Sequence, residues 1–306
     1  MAATIGIFDS GVGGLTVARA LHDAAPALAI RYVADTAYFP YGDRPPAEVV
    51  ERVLAIATRL VADGCELLIV ACNTASSAAL EPLRDRLEVP VVGMEPPLKP
   101  AVERSERRRV AVLTTPATAS GERLARLAEI HGAGADVAVI AMPGLADLVE
   151  RGEITGDRVR GLLLDALTPH IDRGVDAVAL GCTHYGFLLP VLRDLLPREV
   201  VVLDAAEPVA RRALSLLDGD HAGGSPVEVL CYATGDRAAF DGALERLAAA
   251  GASLKPLACL FLPAPAAAGE RSSKKKEIGT SRTWLRLNSR LAPMRLTPRS
   301  YFCSCW

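Results

Sequence analysis

Short runs of apolar residues alternate along the chain with longer segments in which apolar residues recur three or four positions apart. The short runs have the length typical of buried strands, and the longer segments have the spacing typical of amphipathic helices. The strand-like runs are 4–8, 30–34, 67–71, 89–92, 110–113, 137–141, 177–181, 200–203 and 227–232. The helix-like runs include 15–24, 48–62, 122–129, 158–172, 208–217 and 237–249. This alternation predicts an α/β fold with parallel sheets.

The chain contains an internal repeat with a cysteine in each copy. Residues 64–74 align without gaps with residues 174–184, and each copy reads glycine, an acidic residue two positions on, an apolar strand, and then Cys72 or Cys182. The repeat predicts two similar parallel-sheet α/β domains related by pseudo-twofold symmetry. Their expected boundaries are 1–94 with 205–257 for the first domain and 95–204 for the second. Because ligands bind beyond the carboxyl ends of parallel strands, both cysteines are expected to face an active-site cleft between the domains.

A cysteine between a strand end and a helix N-terminus has two interpretations. The helix dipole and nearby N–H groups favour a thiolate, which would lower the thiol pKa and make the side chain a base. Alternatively the cysteine is a small apolar residue of the core, because free cysteine is among the most buried residue types. The repeat favours the first interpretation for Cys72 and Cys182, and the second is expected for Cys65, Cys231 and Cys259.

Composition narrows the class of protein. The 306 residues are 50% apolar and 23% charged with a formal net charge of −2, which argues against a disordered acidic chain and against a nucleic-acid-coating protein. The first residues lack a signal-peptide pattern and no apolar run has the length of a membrane span, so we expect a cytoplasmic protein. The seven cysteines include no C-x-x-C pair, so we expect thiols rather than disulfides, and no metal site.

Positive charge is concentrated at the end of the chain. Residues 259–306 contain nine Lys and Arg against two Glu, a net charge of +7 that leaves −9 for the remainder. The segment also has a Pro/Ala run and no apolar period. We therefore expect the fold to end near Leu257 and residues 258–306 to form a basic, disordered extension. The alternative is a segment that contacts nucleic acid or anionic lipid, as basic segments do.

A glycine-rich turn, Asp-Ser-Gly-Val-Gly-Gly, follows the first strand at residues 9–14. It does not match the dinucleotide-binding motif G-x-G-x-x-G, because Thr16 stands where the third glycine belongs, and the chain has no P-loop sequence. It does not match the nucleophile elbow G-x-S-x-G either, since Phe8 and Val12 occupy the glycine positions around Ser10. Two interpretations remain open: the turn presents a carboxylate and a hydroxyl to the cleft, or one of these groups caps the following helix.

Four motifs, in this order, resemble the aspartate/glutamate racemase superfamily. They are IGIFDSGVGGLTV at 5–17, YVADTAYFPYG at 32–42, ACNTASS at 71–77 and LGCTHY at 180–185, and the segment YATGD at 232–236 extends the match. The resemblance covers about residues 4–247. It implies interconversion of L- and D-glutamate without a cofactor, in a homodimer, to supply D-glutamate for peptidoglycan. A pyridoxal mechanism would need a Schiff-base lysine, and only Lys99 and Lys255, which lie outside the motifs, precede the basic extension.

The resemblance assigns the chemistry to the two cysteines. It implies that Cys72 removes the α-proton of D-glutamate and that Cys182 removes that of L-glutamate, each thiol returning a proton in the opposite direction. His184 is implied to assist Cys182. Asp9 and Ser10 are implied to contact the substrate amino group and to assist Cys72.

The resemblance also implies which residues hold the two substrate carboxylates. They are Asn73, Thr74 and Thr183, with Tyr41 and Gly42 in a loop that reaches the side-chain carboxylate. Thr115 and Thr118, which match a Gly-Thr-x-x-Thr segment of the family, are also implied to bind the substrate. Glu150 matches an acidic residue on the Cys182 side; its alternative interpretation is a solvated helix end. The chain departs from the family at Thr114, which replaces a glycine, and at Arg123, which stands where a tyrosine is common.

Two other functions remain open at this point. The first is an aspartate racemase, although relatives that act on aspartate typically carry Thr-Glu after the second cysteine, where this chain has Thr183 and His184. The second is a non-catalytic protein that binds DNA gyrase, for which no motif is readable. We expect glutamate as the ligand, and neither a membrane nor a nucleic acid as a partner.

Overall fold

The computed structural model describes residues 3–217, 219, 225–227, 229–252 and 257–261, the last of these ranges by its backbone. In these residues the chain forms two parallel sheets. The strands are β1 (Thr4–Asp9), β2 (Ala29–Ala34), β3 (Leu67–Val70), β4 (Val91–Val92), β5 (Arg109–Thr114), β6 (Asp136–Ala141), β7 (Ala177–Leu180), β8 (Val201–Leu203), β9 (Val229–Ala233) and β10 (Leu257–Phe261). The first sheet has the order β10-β9-β2-β1-β3-β4 and the second has the order β6-β5-β7-β8. The predicted α/β class with two parallel sheets is therefore confirmed.

Helices connect the strands of both sheets. They are α1 (Leu15–Ala24), α2 (Pro46–Ala62), α3 (Asn73–Arg86), α4 (Leu98–Arg104), α5 (Pro116–Ala119), α6 (Glu122–His131), α7 (Leu145–Glu150), α8 (Asp157–Ile171), α9 (Leu189–Leu195), α10 (Ala206–Leu214) and α11 (Arg237–Ala249). Residues Tyr41–Asp43 and Thr183–Leu188 form 3-10 helical turns. Within the described part of the chain, no helix is both long enough and apolar enough to cross a membrane.

One apolar core extends across both sheets. It joins Ile7 of β1 and Ile69 of β3 to Leu113 of β5 and Val178 of β7, and all four side chains are fully buried. Every residue of β3 and β7 is buried, which is typical of parallel strands covered by helices on both faces. This packing holds the carboxyl ends of the central strands in place, and the candidate catalytic residues follow those strand ends in the sequence.

The internal repeat forms the same local structure twice. The turns after α2 and α8 contain Gly64 and Gly174, whose φ angles of 90° and 93° are readily adopted by glycine. β3 and β7 follow these turns. Cys72 and Cys182 come directly after the strands, each in an extended conformation at the start of the next helical segment. Both cysteines therefore lie at the carboxyl ends of parallel strands.

Two elements differ from the sequence expectations. β10 pairs in parallel with β9 as far as Phe261, so the first sheet continues past the boundary expected near Leu257. Helix α3 does not stand out in the apolar pattern because it has polar residues in its first turns and Pro82 in its interior.

Helix α10 returns to pack on α1 of the first sheet. The boundaries of the two domains stay a prediction, and residues 262–306 lie outside the described part of the chain.

Candidate active site

The two repeat cysteines line one cavity of about 210 Å³. Cys72 caps α3, and its Sγ accepts a hydrogen bond from the Ala75 N–H at 3.5 Å and lies 3.9 Å from the Ser10 hydroxyl. Cys182 begins the 3-10 turn after β7, and its Sγ lies 3.8 Å from Nδ1 of His184. Two thiols supplied by two different sheets thus face the same space.

Most of the residues predicted for the site lie in the wall of this cavity. Besides the two cysteines they are Ser10, Tyr41, Gly42, Asn73, Thr74, Thr115, Thr118, Thr183 and His184. Asp9 and Glu150 do not line it. They lie behind the wall, and their contacts show what they support.

The carboxylate of Asp9 is fully buried and ties the glycine-rich turn to the loop of Cys182. It accepts hydrogen bonds from the N–H groups of Ser10 and Gly14 at 2.7 and 2.6 Å, and from the hydroxyl of Thr183 at 3.2 Å. Burial raises the pKa of Asp9, the cationic His184 opposes the shift, and Glu150 reinforces it. The hydroxyl of the turn therefore reaches the cavity, and the carboxylate orders the turn from behind.

Glu150 and His184 form a buried pair beside Cys182. Nε2 of His184 lies 2.8 Å from a Glu150 oxygen, and the same oxygen accepts the Val12 N–H at 2.8 Å. Burial lowers the pKa of His184, but the contacts with Cys182 and Glu150 outweigh it and raise the pKa well above its usual value. The Glu150 side chain is only 14% exposed, which contradicts the interpretation of a solvated helix end. A Cβ on Gly11 would overlap this carboxylate, so a larger residue there would displace Glu150 from its present contacts.

The expectation of a lowered pKa is wrong for Cys72. Burial is the largest effect and raises the pKa of this thiol strongly, and the nearby charge of Asp9 adds to the shift. The hydrogen bonds with the Ala75 N–H and the Ser10 hydroxyl act in the opposite direction but are weaker. Without a ligand, Cys72 is therefore a protonated thiol.

Asn73 offers unused hydrogen-bonding groups to the cavity. Its amide nitrogen and oxygen are both buried, and neither has a hydrogen-bond partner in the described residues. A buried polar group without a partner costs free energy, and a ligand with complementary groups would remove that cost. Asn73 is therefore placed to bind a polar ligand.

A buried carboxylate holds the Tyr41 loop in place. Asp35 accepts hydrogen bonds from the hydroxyls of Tyr41 and Thr234 at 2.7 and 2.6 Å, and from two nitrogens of Arg52 at 2.8 and 2.6 Å. Burial and the charge of Asp35 raise the pKa of Tyr41 well above its usual value. The sequence motif 232–236 contains Thr234, but the partner of this residue was not predictable from the motif.

The sequence reasoning also missed several residues of the wall. They are Phe39, Pro40, Met142, Pro143, Gly144, Ala146 and Asp147. The ring of Phe39 lies 5.4 Å from that of His184. Phe39 and Pro40 belong to a motif that the sequence singled out, whereas the others follow β6 and carry no local signal.

The chain thus combines two parallel sheets with two cysteines, one from each sheet, at one cavity, and its sequence matches a family of racemases. A family model described as Asp/Glu/Hydantoin racemase matches residues 6–213, so this chain belongs to the Asp/Glu/hydantoin racemase family. Within that family it is similar to glutamate racemases. That of Roseiflexus sp. is 40% identical over 251 residues, 80% of this chain and 92% of the relative. That of Ralstonia pickettii is 42% identical over 211 residues, 68% of this chain and 74% of the relative.

Solved structures show the same similarity. Escherichia coli glutamate racemase, in complex with L-glutamate and the activator UDP-MurNAc-Ala, has a TM-score of 0.75 and 29% identity, and the match covers 86% of this chain and 99% of that one. The Thermus thermophilus glutamate racemase, in complex with β-chloro-D-alanine, has a TM-score of 0.67 and 34% identity over 85% of this chain and 97% of that one.

Proposed function

We propose that this chain interconverts L- and D-glutamate by a two-base mechanism that needs no cofactor. The observation that carries the proposal is the pair Cys72 and Cys182, which reach one cavity from the ends of β3 and β7. Inversion at Cα requires a base on one face and an acid on the other, and two thiols that reach one cavity from different sheets can supply both. The similarity to glutamate racemases over most of the chain supports glutamate as the substrate.

The two thiols exchange roles with the direction of the reaction. With D-glutamate, the Cys72 thiolate removes the α-proton, so that a Cα–H bond breaks and an S–H bond forms. The Cys182 thiol then gives its proton to the opposite face of Cα, and L-glutamate leaves. The reverse reaction follows the same steps backwards. After each turnover one thiol holds the substrate proton and the other is a thiolate, and exchange with solvent resets the pair.

Charges in the site explain how a thiolate forms when substrate binds. Burial and the charge of Asp9 favour the protonated thiol of Cys72, which must release its proton to solvent before it can act as a base. The ammonium group of glutamate, bound near Ser10, brings the positive charge that this side of the cavity lacks. On the other side, the His184 imidazolium lies beside the Sγ of Cys182 and is held there by Glu150. A cation thus accompanies each sulfur when it carries negative charge.

The substrate carboxylates are expected to bind to neutral donors. Asn73 and Thr74 are the first residues of α3, where helix N–H groups favour an anion, and the side-chain amide of Asn73 has no partner in the described residues. The hydroxyls of Thr115, Thr118 and Thr183 line the same cavity. Tyr41 and Gly42 form the end of the cavity that we assign to the side-chain carboxylate.

Racemisation in D₂O tests the mechanism. Two bases place deuterium at Cα of the product enantiomer while the recovered substrate stays largely protiated at early times. Because the equilibrium constant of a racemisation is one, kcat/KM is equal in both directions, and Cys72→Ala and Cys182→Ala must each abolish inversion in both. Product that keeps the substrate's own α-hydrogen, or inversion by either variant, would refute the two-base mechanism. Faster turnover of aspartate than of glutamate would refute the substrate.

We further propose, from the same resemblance, that the protein is a cytoplasmic homodimer and that its D-glutamate enters peptidoglycan. The biological role is tested by complementation of a bacterial strain that requires D-glutamate. Growth rescued by the wild-type chain but not by Cys72→Ala supports it, and an active enzyme that fails to rescue growth contradicts it. Light scattering of the purified chain distinguishes a dimer from a monomer.

A further inference from the structure

A second, larger cavity of about 510 Å³ adjoins the catalytic cavity. Both cavities are lined by Tyr41, Gly42, Asn73, Thr74, Ala117 and Thr118. The larger cavity, called the vestibule below, continues from these shared residues along α6 and the start of α2. A ligand in the vestibule therefore contacts Asn73 and Thr74, which also line the catalytic cavity.

The two cavities differ in charge. The charged residues that line the catalytic cavity are Asp43, Asp147 and His184, with no Lys or Arg among the described lining residues. The charged residues that line the vestibule are Arg44, Arg123, Arg126 and Glu122. The catalytic cavity therefore offers a dicarboxylate substrate neutral hydrogen-bond donors and the His184 imidazolium, whereas the arginine side chains line the vestibule.

Arg123 has hydrogen-bonding capacity to spare. One nitrogen of its guanidinium is paired with Glu95, while Nε is buried without a hydrogen-bond partner. A guanidinium carries five N–H donors, so a single carboxylate does not saturate it. The side chain is 29% exposed, which leaves it accessible from the vestibule. Arg126 lies one helical turn further along α6 and is exposed.

We propose that the vestibule is an anion-binding entrance for small dicarboxylates, in which Arg123 and Arg126 supply the positive charge that the catalytic cavity lacks. The proposal rests on the proposed function, because glutamate carries two carboxylates and one ammonium group. Low-dielectric walls focus the field of these arginines on the adjacent cavity, where it acts on substrate and transition state alike. Such uniform attraction lowers KM and leaves kcat unchanged.

Steady-state racemisation kinetics of charge-removing variants test the entrance. Arg123→Gln is expected to raise KM about threefold and Arg126→Gln about twofold, the effect of removing one charge that acts on the catalytic cavity without contacting the substrate. In both variants kcat stays within about twofold of wild type. Glu95→Gln has the opposite sign and lowers KM, because it frees the Arg123 guanidinium. Added salt reduces all three effects.

The matched control is Arg158→Gln, which removes an exposed arginine of α8 that lines neither cavity. It is expected to keep the wild-type KM. The proposal is overturned if Arg123→Gln leaves KM at the control value. It is also overturned if kcat falls with KM unchanged, because Arg123 would then only order the wall of the catalytic cavity.

Calorimetric titration with glutarate separates this proposal from the proposed function, because glutarate has two carboxylates and cannot react. Weaker glutarate binding by Arg123→Gln than by Arg158→Gln supports the entrance even if the chain does not racemise glutamate. A chain that racemises glutamate but binds glutarate equally well in both variants keeps its function and loses the entrance.

Discussion

Replacing Arg52 with methionine tests how much the buried carboxylate network behind Tyr41 contributes to stability. The Asp35 side chain is fully buried and that of Arg52 is 12% exposed, and the guanidinium contacts both carboxylate oxygens. Methionine keeps much of the packing volume but leaves the carboxylate with the hydroxyl donors of Tyr41 and Thr234. Removing one partner of a buried ion pair costs about 3–5 kcal/mol, because the other charge stays buried and uncompensated.

Thermal unfolding followed by circular dichroism measures this change. For a protein of this size each kcal/mol corresponds to about 2–4 °C, so the melting temperature is expected to fall by about 10 °C. The control is Arg160→Met, which removes an ion pair with Asp194 at 2.7 Å whose side chains are 40% and 65% exposed. Exposed pairs contribute about 0–1 kcal/mol, so this variant should be close to wild type.

A double variant checks the cause of the destabilisation. Adding Asp35→Asn to Arg52→Met removes the uncompensated charge and is expected to recover part of the lost stability. The single variant should also raise KM, since the Asp35 carboxylate that holds the Tyr41 hydroxyl loses the guanidinium that fixes its position. The reasoning is refuted if Arg52→Met destabilises no more than Arg160→Met, or if Asp35→Asn makes Arg52→Met worse.

Four further variants test the carboxylates behind the cavity wall and the chain end. Burial lowers the pKa of His184, whereas the contacts with Cys182 and Glu150 raise it. Glu150→Gln keeps a hydrogen-bond acceptor but removes the carboxylate charge, so the pKa of His184 falls and the high-pH limb of the kcat profile moves to lower pH. The raised pKa means that protonated His184 stabilises the fold at low pH and that this stabilisation is lost as the pH rises through the pKa of the folded state. Unfolding measured at several pH values should therefore show a smaller pH-dependent loss of stability in Glu150→Gln than in the wild type. Asp9→Asn turns an amide donor toward a backbone N–H group and is expected to cost about 1–3 kcal/mol of stability and to lower kcat about 10²-fold or more. Truncation after Pro263 keeps β10 and should leave activity and melting temperature unchanged, whereas truncation after Ala252 removes that strand and should lower both.

Each of these variants has an outcome that contradicts its premise. An unshifted pH profile in Glu150→Gln would mean that His184 titration does not govern kcat. Wild-type stability and kinetics in Asp9→Asn would deny the carboxylate both its structural and its catalytic role. Equal melting temperatures for the two truncations would show that β10 contributes nothing to the first sheet.

The strands were predictable because parallel strands are buried on both faces and read as continuous apolar runs. β3 and β7 lie within one residue of their expected ends, and the repeat brought Cys72 and Cys182 to equivalent positions. The wall of the cavity behind these residues was not predictable in the same way. Glu150 meets Val12 across 138 residues, and Thr234 meets Asp35 across 199 residues, so no local pattern records either contact.

The pKa of Cys72 was also not predictable from the local sequence. The local sequence places this thiol at a helix N-terminus, where the structure shows a hydrogen bond from the Ala75 N–H. Burial by the core and the neighbouring charge of Asp9 come from distant parts of the chain and determine the direction of the shift. The local sequence therefore predicts correctly that backbone N–H groups lie near the Cys72 sulfur and predicts incorrectly the direction in which the pKa of this thiol shifts.

The order of strands in the two sheets has a consequence for synthesis of the chain. The second sheet is built from β5 to β8, one continuous stretch, whereas the first needs β9 and β10 to cover the edge of β2. A growing chain can therefore complete its second sheet on the ribosome while β2 still presents unpaired N–H and C=O groups. Thr234, which follows β9, reaches Asp35 only at that last stage. The nascent chain thus acquires both thiols early and the final support of its Tyr41 loop late.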